Sequence, residues 1–410
     1  MNILLISVVF PFPIEDGGKV GTHKMIENLR DKHQITLLVP ESRPENMREL
    51  KRLWPNVNIV TFANPPCDAK EHIVKKILKS IRGNKKPTKE QLFKQSMLLQ
   101  TTDLVNLHFA DFLKVLLEIT ANNDFDLIQV EFIDLAPVIH FLPEKPKKIF
   151  VHHEIRHRRM RLEYQTLHNH SKEDLWRIEN IQVLEIGLLN KYDKVICLTE
   201  IDKEFLREDG VIESKLEVSP LPVVISEHPV NRPFVFQNKL VFLGPEVHFP
   251  NLDAVDWFLT NCWEKLQKIF PDLVFEIVGK WNEKTIESYQ NYKNVKFMGF
   301  VDDLSEVMTG AIMVVPLRIG SGMRMKILEG VSWHVPVVST PVGAEGLPMF
   351  HGQNCFLSTT PFDFVASIEA LATDTDLQNK FIEGSRELIK SGFSIEDCIQ
   401  KRENIFNSIV

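Results

Sequence analysis

Residues 314–330 hold the densest set of groups suited to binding a charged ligand. A short apolar run leads through Gly320 and Gly322 into a helical pattern, and glycine lets backbone approach a ligand closely. The first amides of a helix lack partners within the helix and attract anions. The pattern therefore predicts that the amides of Gly322, Met323 and Arg324 bind a diphosphate.

Three side chains extend this predicted anion site. Arg324 and Lys326 place positive charge in the same turn, and Glu329 follows where a carboxylate can accept hydrogen bonds from a ribose diol. In the alternative interpretation, the glycines only shape a loop, and Lys326 and Glu329 form a surface i,i+3 ion pair. A Gly-x-Gly pattern by itself does not decide between the two.

Glu131 is a candidate in the first half of the chain. It follows the apolar run at residues 127–130, which is typical of a buried strand. A carboxylate at that strand end could orient the hydroxyl of a second substrate. Capping of the following helix explains the same residue equally well.

The elements that would position these residues alternate between short apolar runs and amphipathic stretches, which is typical of parallel sheets covered by helices. The predicted strands of the first half are Ile3–Val9, Gln34–Val39, Val57–Thr61, Asp126–Val130, Lys148–His152 and Lys194–Leu198. Those of the second half are Lys239–Leu243, Leu273–Val278, Val295–Met298, Ala311–Val315 and Val335–Ser339. The clearest helices are Lys19–Arg30, Thr101–Thr120 and Glu173–Asn190. We therefore predict two doubly wound, Rossmann-like α/β domains that face a central cleft.

Prolines are dense in residues 218–233, which indicates a connection between domains. The predicted first domain spans residues 1–225 and the second spans residues 226–390. A length of 410 residues also favours two domains over one.

Charge and cysteine content exclude several classes of protein. The net charge of −7 lacks the dense positive field that nucleic-acid binding needs. The five scattered cysteines show no Cys-x-x-Cys spacing, which favours a reduced, cytosolic protein without structural zinc. The opening ten residues have no basic n-region and are too short to span a bilayer, so we expect a buried first strand.

The second half resembles glycosyltransferase family 4, a large group of retaining enzymes with the GT-B fold. The similarity rests on the glutamate-bearing helix that starts near Lys326, the Pro-Val-Val strand at Pro336, and the glycine-containing loop at 343–346. The stretches 242–251 and 299–304 agree with the family as well. Together these features cover most of residues 238–390 in order and spacing.

The resemblance implies roles for residues of the second half. Glu329 would bind the donor ribose, and the amides of 322–324 with Arg324 and Lys326 would hold the diphosphate. Phe300 and Val301 would line the base pocket through main-chain contacts.

Two positions of the second half depart from the family. Ser321 stands where many members carry the first of two glutamates. The loop that starts at Gly244 lacks the arginine and lysine that many relatives use to bind phosphate, and Arg324 and Lys326 would replace that charge.

The resemblance assigns roles in the first half too. Gly17 and Gly18 match a glycine loop between the donor phosphates and the acceptor. His152 and His153 follow a buried strand where relatives place an active-site histidine, and we favour His152. By resemblance, residues 391–410 form a final helix, near Ile395–Ile409, that packs back toward the first domain.

The implied reaction is transfer of a hexose, with retention, from a nucleoside diphosphate sugar to a glycan or lipid-linked acceptor in cell-surface polysaccharide assembly. We expect no metal and no cofactor, because preorganised amides and cations can stabilise a leaving diphosphate. The alternatives are a sugar-nucleotide epimerase of the same fold and a non-catalytic nucleotide-sugar-binding protein.

Two basic segments suggest where an acceptor binds. Lys70–Lys89 has the pattern of a basic amphipathic helix on an anionic membrane, or of a solvated helix over a sheet edge. The first interpretation predicts a cytoplasmic protein that is peripheral on the inner face of the membrane. The cluster Arg156–Arg161 is a candidate for binding an acceptor phosphate.

Overall fold

The computed structural model describes residues 1–14, 17–63, 110–166, 171–223 and 234–410. The segment Lys70–Lys89 therefore lies outside the described residues, and its membrane contact stays a prediction.

The first sheet is built from seven parallel strands in the order β3-β2-β1-β4-β5-β6-β7. The strands are β1 (Asn2–Ile6), β2 (Gln34–Pro40), β3 (Asn58–Phe62), β4 (Leu127–Glu131), β5 (Lys147–His152), β6 (Lys194–Cys197) and β7 (Leu216–Val218). The helices that accompany them are α1 (Gly17–Leu29), α2 (Pro44–Leu53), α3 (Ala110–Asn122), α4 (Arg156–Thr166), α5 (Lys172–Leu189) and α6 (Glu200–Glu208). Short 3-10 helices span Ile133–Phe141 and Glu213–Lys215. The central strands are apolar on both faces because helices cover both sides of the sheet.

The second sheet has six parallel strands in the order β10-β9-β8-β11-β12-β13. They are β8 (Lys239–Leu243), β9 (Val274–Val278), β10 (Val295–Gly299), β11 (Ala311–Val315), β12 (Val337–Ser339) and β13 (Phe356–Leu357). Its first helices are α7 (Phe249–Phe258), continued by a π-turn at Leu259–Trp263 into α8 (Glu264–Ile269), then α9 (Glu283–Ser288) and α10 (Ser305–Met308). The others are α11 (Met325–Ser332), α12 (Pro341–Ala344), α13 (Pro361–Thr373), α14 (Thr375–Gly392) and α15 (Ile395–Ile409). The prediction of two doubly wound α/β sheets is confirmed.

The chain divides into two compact units. The first contains Met1–Pro13, Met25–Ser219 and Ile399–Val410, and the second contains Ile14–Lys24 and Pro220–Cys398. Most of α15 thus belongs to the first unit. The start of α1 belongs to the second unit. The single boundary predicted from the prolines at residue 225 did not include this exchange of a segment near the start of the chain.

Some element ends differ from the predicted ones for identifiable reasons. The first strand ends at Ile6 rather than Val9, because the Ser7 hydroxyl oxygen accepts the Val9 amide at 3.0 Å and turns the chain. The strand predicted from Val335 begins at Val337, after a proline that has no amide to donate.

Candidate functional site

The strand order of the second unit reverses between β8 and β11, which are hydrogen-bonded neighbours. In open α/β sheets, ligands bind beyond the carboxyl ends of the strands at such a reversal. The loop after β8 starts at Gly244, and the loop after β11 leads into α11 at Met325. The residues of both loops are therefore placed at the expected ligand position of this unit.

Lys326, the second residue of α11, contacts the start of α7, the helix that follows β8. Its Nζ donates a hydrogen bond to Asn251 Oδ1 at 2.6 Å and lies 4.4 Å from the centroid of the Phe242 ring. Burial lowers the pKa of the Lys326 ammonium to about 7, and repulsion by Arg324 acts in the same direction. Within the described part of the chain, no carboxylate lies at ion-pair distance from this Nζ. Lys326 and Glu329 therefore do not form the surface ion pair of the alternative interpretation.

Arg324 lies next to Lys326 but points into the protein. Its guanidinium donates to the Gly322 carbonyl at 2.7 Å and to the Val342 carbonyl at 3.0 and 3.1 Å. Glu345 lies 3.9 Å away, and the side chain is only 6% exposed. The same guanidinium occupies the space that a Cβ on Gly320 would need. In this structure the Arg324 guanidinium thus stabilises the loop before α11 by donating hydrogen bonds to backbone carbonyls.

The other predicted donor-binding residues of this segment lie just before α11 or in its first turns. The helix begins at Met325, so Ser321, Gly322 and Met323 lie in the loop before it, with Gly322 at φ +77°. Ser321 and Glu329 are half-buried, and Glu329 lies one turn after Lys326 on α11.

The remaining predicted residues of the donor site lie on three other segments. Gly244 follows β8 directly, and its carbonyl accepts the Trp281 indole N–H at 3.0 Å. Phe300 is 40% exposed just after β10, with Lys280 Nζ 5.7 Å from its ring centroid, and Val301 follows it. Gly17 and Gly18 are the first two residues of α1, in a segment that groups with the second unit.

His152 ends β5 inside a buried polar network. Its Nε2 lies 2.9 Å from Glu185 Oε1, while its Nδ1 is buried without a hydrogen-bond partner among the described atoms. Glu185 also accepts the amides of Arg156 and His157, at 3.0 and 3.1 Å, and lies 2.6 Å from His157 Nδ1. The carboxylate thus ties the end of β5 to the start of α4.

The charges of this network are set by hydrogen bonding. Burial alone would raise the pKa of Glu185, but hydrogen bonds from His152 and His157 outweigh it and hold that pKa well below its ordinary value. Burial opposes the charge on His157, yet Asp209 and Glu185 outweigh it and raise the pKa of His157 to about 9. We infer that His157 is a buried cation between two carboxylates at neutral pH.

His153 and Glu131 form a separate pair at the carboxyl ends of β4 and β5. His153 Nε2 lies 3.3 Å from Glu131 Oε2, and its ring stacks on Phe132 with a centroid distance of 4.0 Å. Phe132 adopts φ +68°, a left-handed conformation that is rare for a residue with a side chain and is often found at functional sites. The His153 side chain is 11% exposed, whereas that of His152 is 1% exposed.

The arginines of the cluster Arg156–Arg161 each contact a carboxylate. Arg156 forms two bonds to Asp134, at 3.0 and 2.9 Å, and Arg158 contacts Asp209 at 3.1 Å. Arg159 pairs with Glu154 and Glu163, and Arg161 with Glu179. Since these charges are compensated internally, the cluster does not present the unpaired positive field expected of an acceptor phosphate site.

Sequence reasoning missed Asn251 and Glu185. Asn251 ends the stretch 242–251 that resembles the family, but its contact with Lys326 joins residues 75 positions apart. Glu185 lies in a helical pattern where a charged residue ordinarily indicates a solvated face. Only its position facing the end of β5 shows that it is buried.

Possible metal ligands and membrane spans among the described residues matter because both would imply a partner. In the described ranges, no group of histidine, cysteine, aspartate and glutamate side chains is arranged to hold a metal ion. No helix in those same ranges has both the length and the apolar character needed to cross a membrane.

Comparison with known proteins gives a family match for the second unit. The model of the family described as "Glycosyl transferases group 1" matches residues 237–374, which include β8 through α13. Over its full length, the chain is 22% identical to an uncharacterized 44.6 kDa protein in the cps region of Klebsiella pneumoniae and covers 98% of it.

Solved structures match the whole chain at low sequence identity. Sucrose-phosphate synthase from Thermosynechococcus elongatus has a TM-score of 0.71 at 15% identity, with 100% of this chain and 98% of that chain covered. A mutant of S. aureus TarM, in complex with Fondaparinux, alpha-GlcNAc-glycerol and UDP, has a TM-score of 0.68 at 13% identity, with 99% of each chain covered. The fold is GT-B, and the family match together with the fold supports a glycosyltransferase.

Proposed function

We propose that this protein is a retaining glycosyltransferase that transfers a hexose from a nucleoside diphosphate sugar to a glycan or lipid-linked acceptor. The observation that carries the proposal is the Lys326 ammonium, which lies at the reversal of the second sheet and has only neutral described partners. Lys326 is partly buried, and a desolvated cation without a counter-ion is costly, so a diphosphate would supply the missing charge. The match of residues 237–374 to a glycosyltransferase family supports this assignment.

Each part of the donor has a candidate partner in the second unit. Lys326 and the amides of the loop before α11 would bind the diphosphate, with Arg324 bracing that loop. Glu329 would accept hydrogen bonds from the ribose diol. The main chain at Phe300 and Val301 would line the base pocket, and Ser321 and Gly244 would lie beside the sugar phosphate.

Charge development on the leaving diphosphate is the main barrier that these residues address. As the bond to the anomeric carbon breaks, negative charge grows on the diphosphate oxygens, and a preformed cation and amides stabilise it. This supports a reaction that needs neither a metal nor a further cofactor. The TarM complex contains UDP, which makes UDP the first nucleotide to test.

In the first unit, exposure favours His153 over His152 as the histidine that contacts substrate. His153 retains solvent exposure and pairs with Glu131, whereas His152 is enclosed by the Glu185 network. We expect His153→Ala to lower turnover while the melting temperature is retained. In contrast, His152→Ala should lower the melting temperature.

The acceptor and the biological setting are inferred from a relative and from a basic segment. The Klebsiella relative comes from a cps region, which supports a role in cell-surface polysaccharide assembly. A lipid-linked acceptor and a peripheral position on the cytoplasmic face of the membrane rest on the basic pattern of Lys70–Lys89. Neither the comparisons nor the fold favours the epimerase or the non-catalytic binding protein.

The test is a thermal-shift panel of UDP, GDP, ADP and CMP with wild type and Lys326→Ala. A ligand that binds the folded state raises the melting temperature, so we expect one nucleoside diphosphate to do so in wild type and not in the variant. Lys268→Ala, which removes an exposed lysine of the same unit, is the matched control. No shift with any nucleotide would refute the donor assignment.

Glu329→Ala tests the ribose contact separately. The variant should fold normally and lose donor affinity, because the carboxylate that accepts the diol hydrogen bonds is gone. If affinity were unchanged, the ribose assignment would be wrong, while the diphosphate site at Lys326 would stand.

A further inference from the structure

Asn251 occupies the position next to Lys326 where a protein would ordinarily place a carboxylate. We propose that Asn251 is a positioning residue that holds the Lys326 ammonium toward the donor site while leaving its charge for the donor diphosphate to compensate. The inference rests on the proposed function and adds Asn251 to the residues of the proposed donor site.

The carboxamide of Asn251 makes two hydrogen bonds that fix its orientation. Its Oδ1 accepts Lys326 Nζ at 2.6 Å, and its Nδ2 donates to the Pro245 carbonyl at 2.8 Å. Asn251 itself is only 4% exposed, and both bonds are partly buried. Because the Nδ2 end is used by a backbone carbonyl, the oxygen end must face the ammonium.

Two glycines allow the backbone to approach Asn251 this closely. A Cβ on Gly244 would lie 2.6 Å from Asn251 Nδ2, and a Cβ on Gly279 would lie 2.7 Å from the Gly244 carbonyl. Both residues also have positive φ, at +153° and +132°, which a larger residue rarely adopts. The loop after β8 is thus packed so that the Pro245 carbonyl meets the Asn251 side chain.

The choice of amide over carboxylate has a chemical consequence. Aspartate has nearly the same shape, but at 2.6 Å it would pair with Lys326 and neutralise the ammonium inside the protein. It would also bring a negative charge close to the incoming diphosphate. The neutral amide of Asn251 orients the ammonium through a hydrogen bond. It neither neutralises the ammonium nor repels the diphosphate.

The experiment compares Asn251→Asp and Asn251→Ser with wild type. The Lys326 titration is followed by NMR after reductive methylation with 13C-formaldehyde, and Lys326→Met identifies its resonance. UDP affinity is measured on the unmethylated proteins by calorimetry. Asn261→Asp is the matched control, because it makes the same change at an exposed asparagine in the π-turn that continues α7.

In Asn251→Asp we expect the Lys326 titration midpoint to rise by more than about one pH unit and UDP affinity at neutral pH to fall at least about tenfold. Asn251→Ser, which cannot bridge the Pro245 carbonyl and Lys326, should weaken UDP without raising the midpoint. Asn261→Asp should change neither. Should Asn251→Asp fail to fold, Asn251→Ser decides through UDP affinity.

Two outcomes separate this inference from the proposed function. If wild type binds UDP and Asn251→Asp and Asn251→Ser bind it equally well, Asn251 does not position Lys326, although the donor site stands. If the Lys326 midpoint is the same in Asn251→Asp and wild type, the two side chains do not interact and the inference is overturned whatever UDP does. Failure of wild type to bind any nucleoside diphosphate refutes the proposed function itself.

Discussion

At the residue scale, one ammonium controls how the proposed donor site responds to pH. Burial and the repulsion of Arg324 hold the pKa of Lys326 at about 7, so its charge is lost as pH rises through neutrality. The proposed donor diphosphate would bind the protonated form. We therefore expect UDP affinity to be highest below about pH 7 and to fall by up to about tenfold per pH unit above it.

Calorimetry between about pH 6.5 and 9, in two buffers with different ionisation enthalpies, checks this prediction. Near neutral pH, Lys326 should take up a proton when UDP binds, so the measured heat of binding should depend on the ionisation enthalpy of the buffer. Lys326→Met should bind weakly with neither the pH dependence nor the proton uptake. Equal pH profiles for wild type and this variant would contradict the assignment.

A second residue-scale prediction concerns the buried network around Glu185. The pKa of His157 is raised to about 9 in the folded protein, above its ordinary value of 6.5. The stabilisation is therefore fully present below about pH 6.5 and is lost as pH rises through 9. We expect His157→Gln to lower the free energy of unfolding most at about pH 6 and progressively less toward pH 9.5.

Urea unfolding of wild type and His157→Gln at both ends of this range measures the difference. His351→Gln is the control, because that histidine is exposed and its described contacts lie within the loop 351–357. A difference that stays constant with pH would show that His157 contributes by packing alone.

At the scale of elements, the second residue after α11 carries conformational strain. His334 has φ +59°, and both of its ring nitrogens are buried without a hydrogen-bond partner among the described atoms. Burial and repulsion by Arg386 also lower the pKa of His334, which disfavours its charged form. A glycine adopts this conformation without a Cβ clash.

We therefore expect His334→Gly to stabilise the protein by about 1 kcal/mol, measured as the free energy of unfolding. Asn238→Gly is the control, because Asn238 is exposed at φ +51° and asparagine tolerates this region. A destabilised His334→Gly would mean that the packing of the imidazole outweighs the strain.

The sequence predicts the sheets well where strands are buried on both faces. The predicted bounds of β8 and β11 are those observed, because each is a short, mainly apolar run whose length suits a strand better than a helix. The end of β1 was missed, since the residues after Ile6 continue the apolar run and the turn is made by the Ser7 side chain. Hydropathy does not register such a turn.

The site is less predictable than the sheets, as Arg324 and Lys326 show. Their positions in the sequence suggest the same role, yet one guanidinium turns inward to the Val342 carbonyl while the ammonium turns to Asn251. The direction depends on the backbone at Arg324, which precedes the helix with ψ 70°. Periodicity gives helical positions but does not give the dihedral angles of the residue before the helix.

At the scale of the whole molecule, the chain ends in the unit where it began. The residues of α15 from Ile399 onward group with the first unit, although Pro220–Cys398, which precede them in the sequence, group with the second. Arg402 on this helix is fully buried and donates to Ser219 Oγ at 3.1 Å and to Gln129 Oε1 at 3.2 Å. Gln129 in turn donates to Glu131 at 2.8 Å, so the last helix supports the predicted catalytic end of β4.

Arg402→Met should therefore destabilise the first unit by about 2–4 kcal/mol, because two buried polar groups on β4 and after β7 lose a charged donor. Hydrogen exchange should show faster opening of the amides in β4 and β7, while those of β8 and β11 keep their protection. Lys401→Met removes the same charge from the neighbouring exposed position and should leave both sheets unchanged. If Arg402→Met accelerated exchange equally in both sheets, the stabilising role of α15 would not be confined to the first unit. If it changed exchange in neither sheet, the Arg402 guanidinium would add no stability beyond the packing of the apolar part of its side chain.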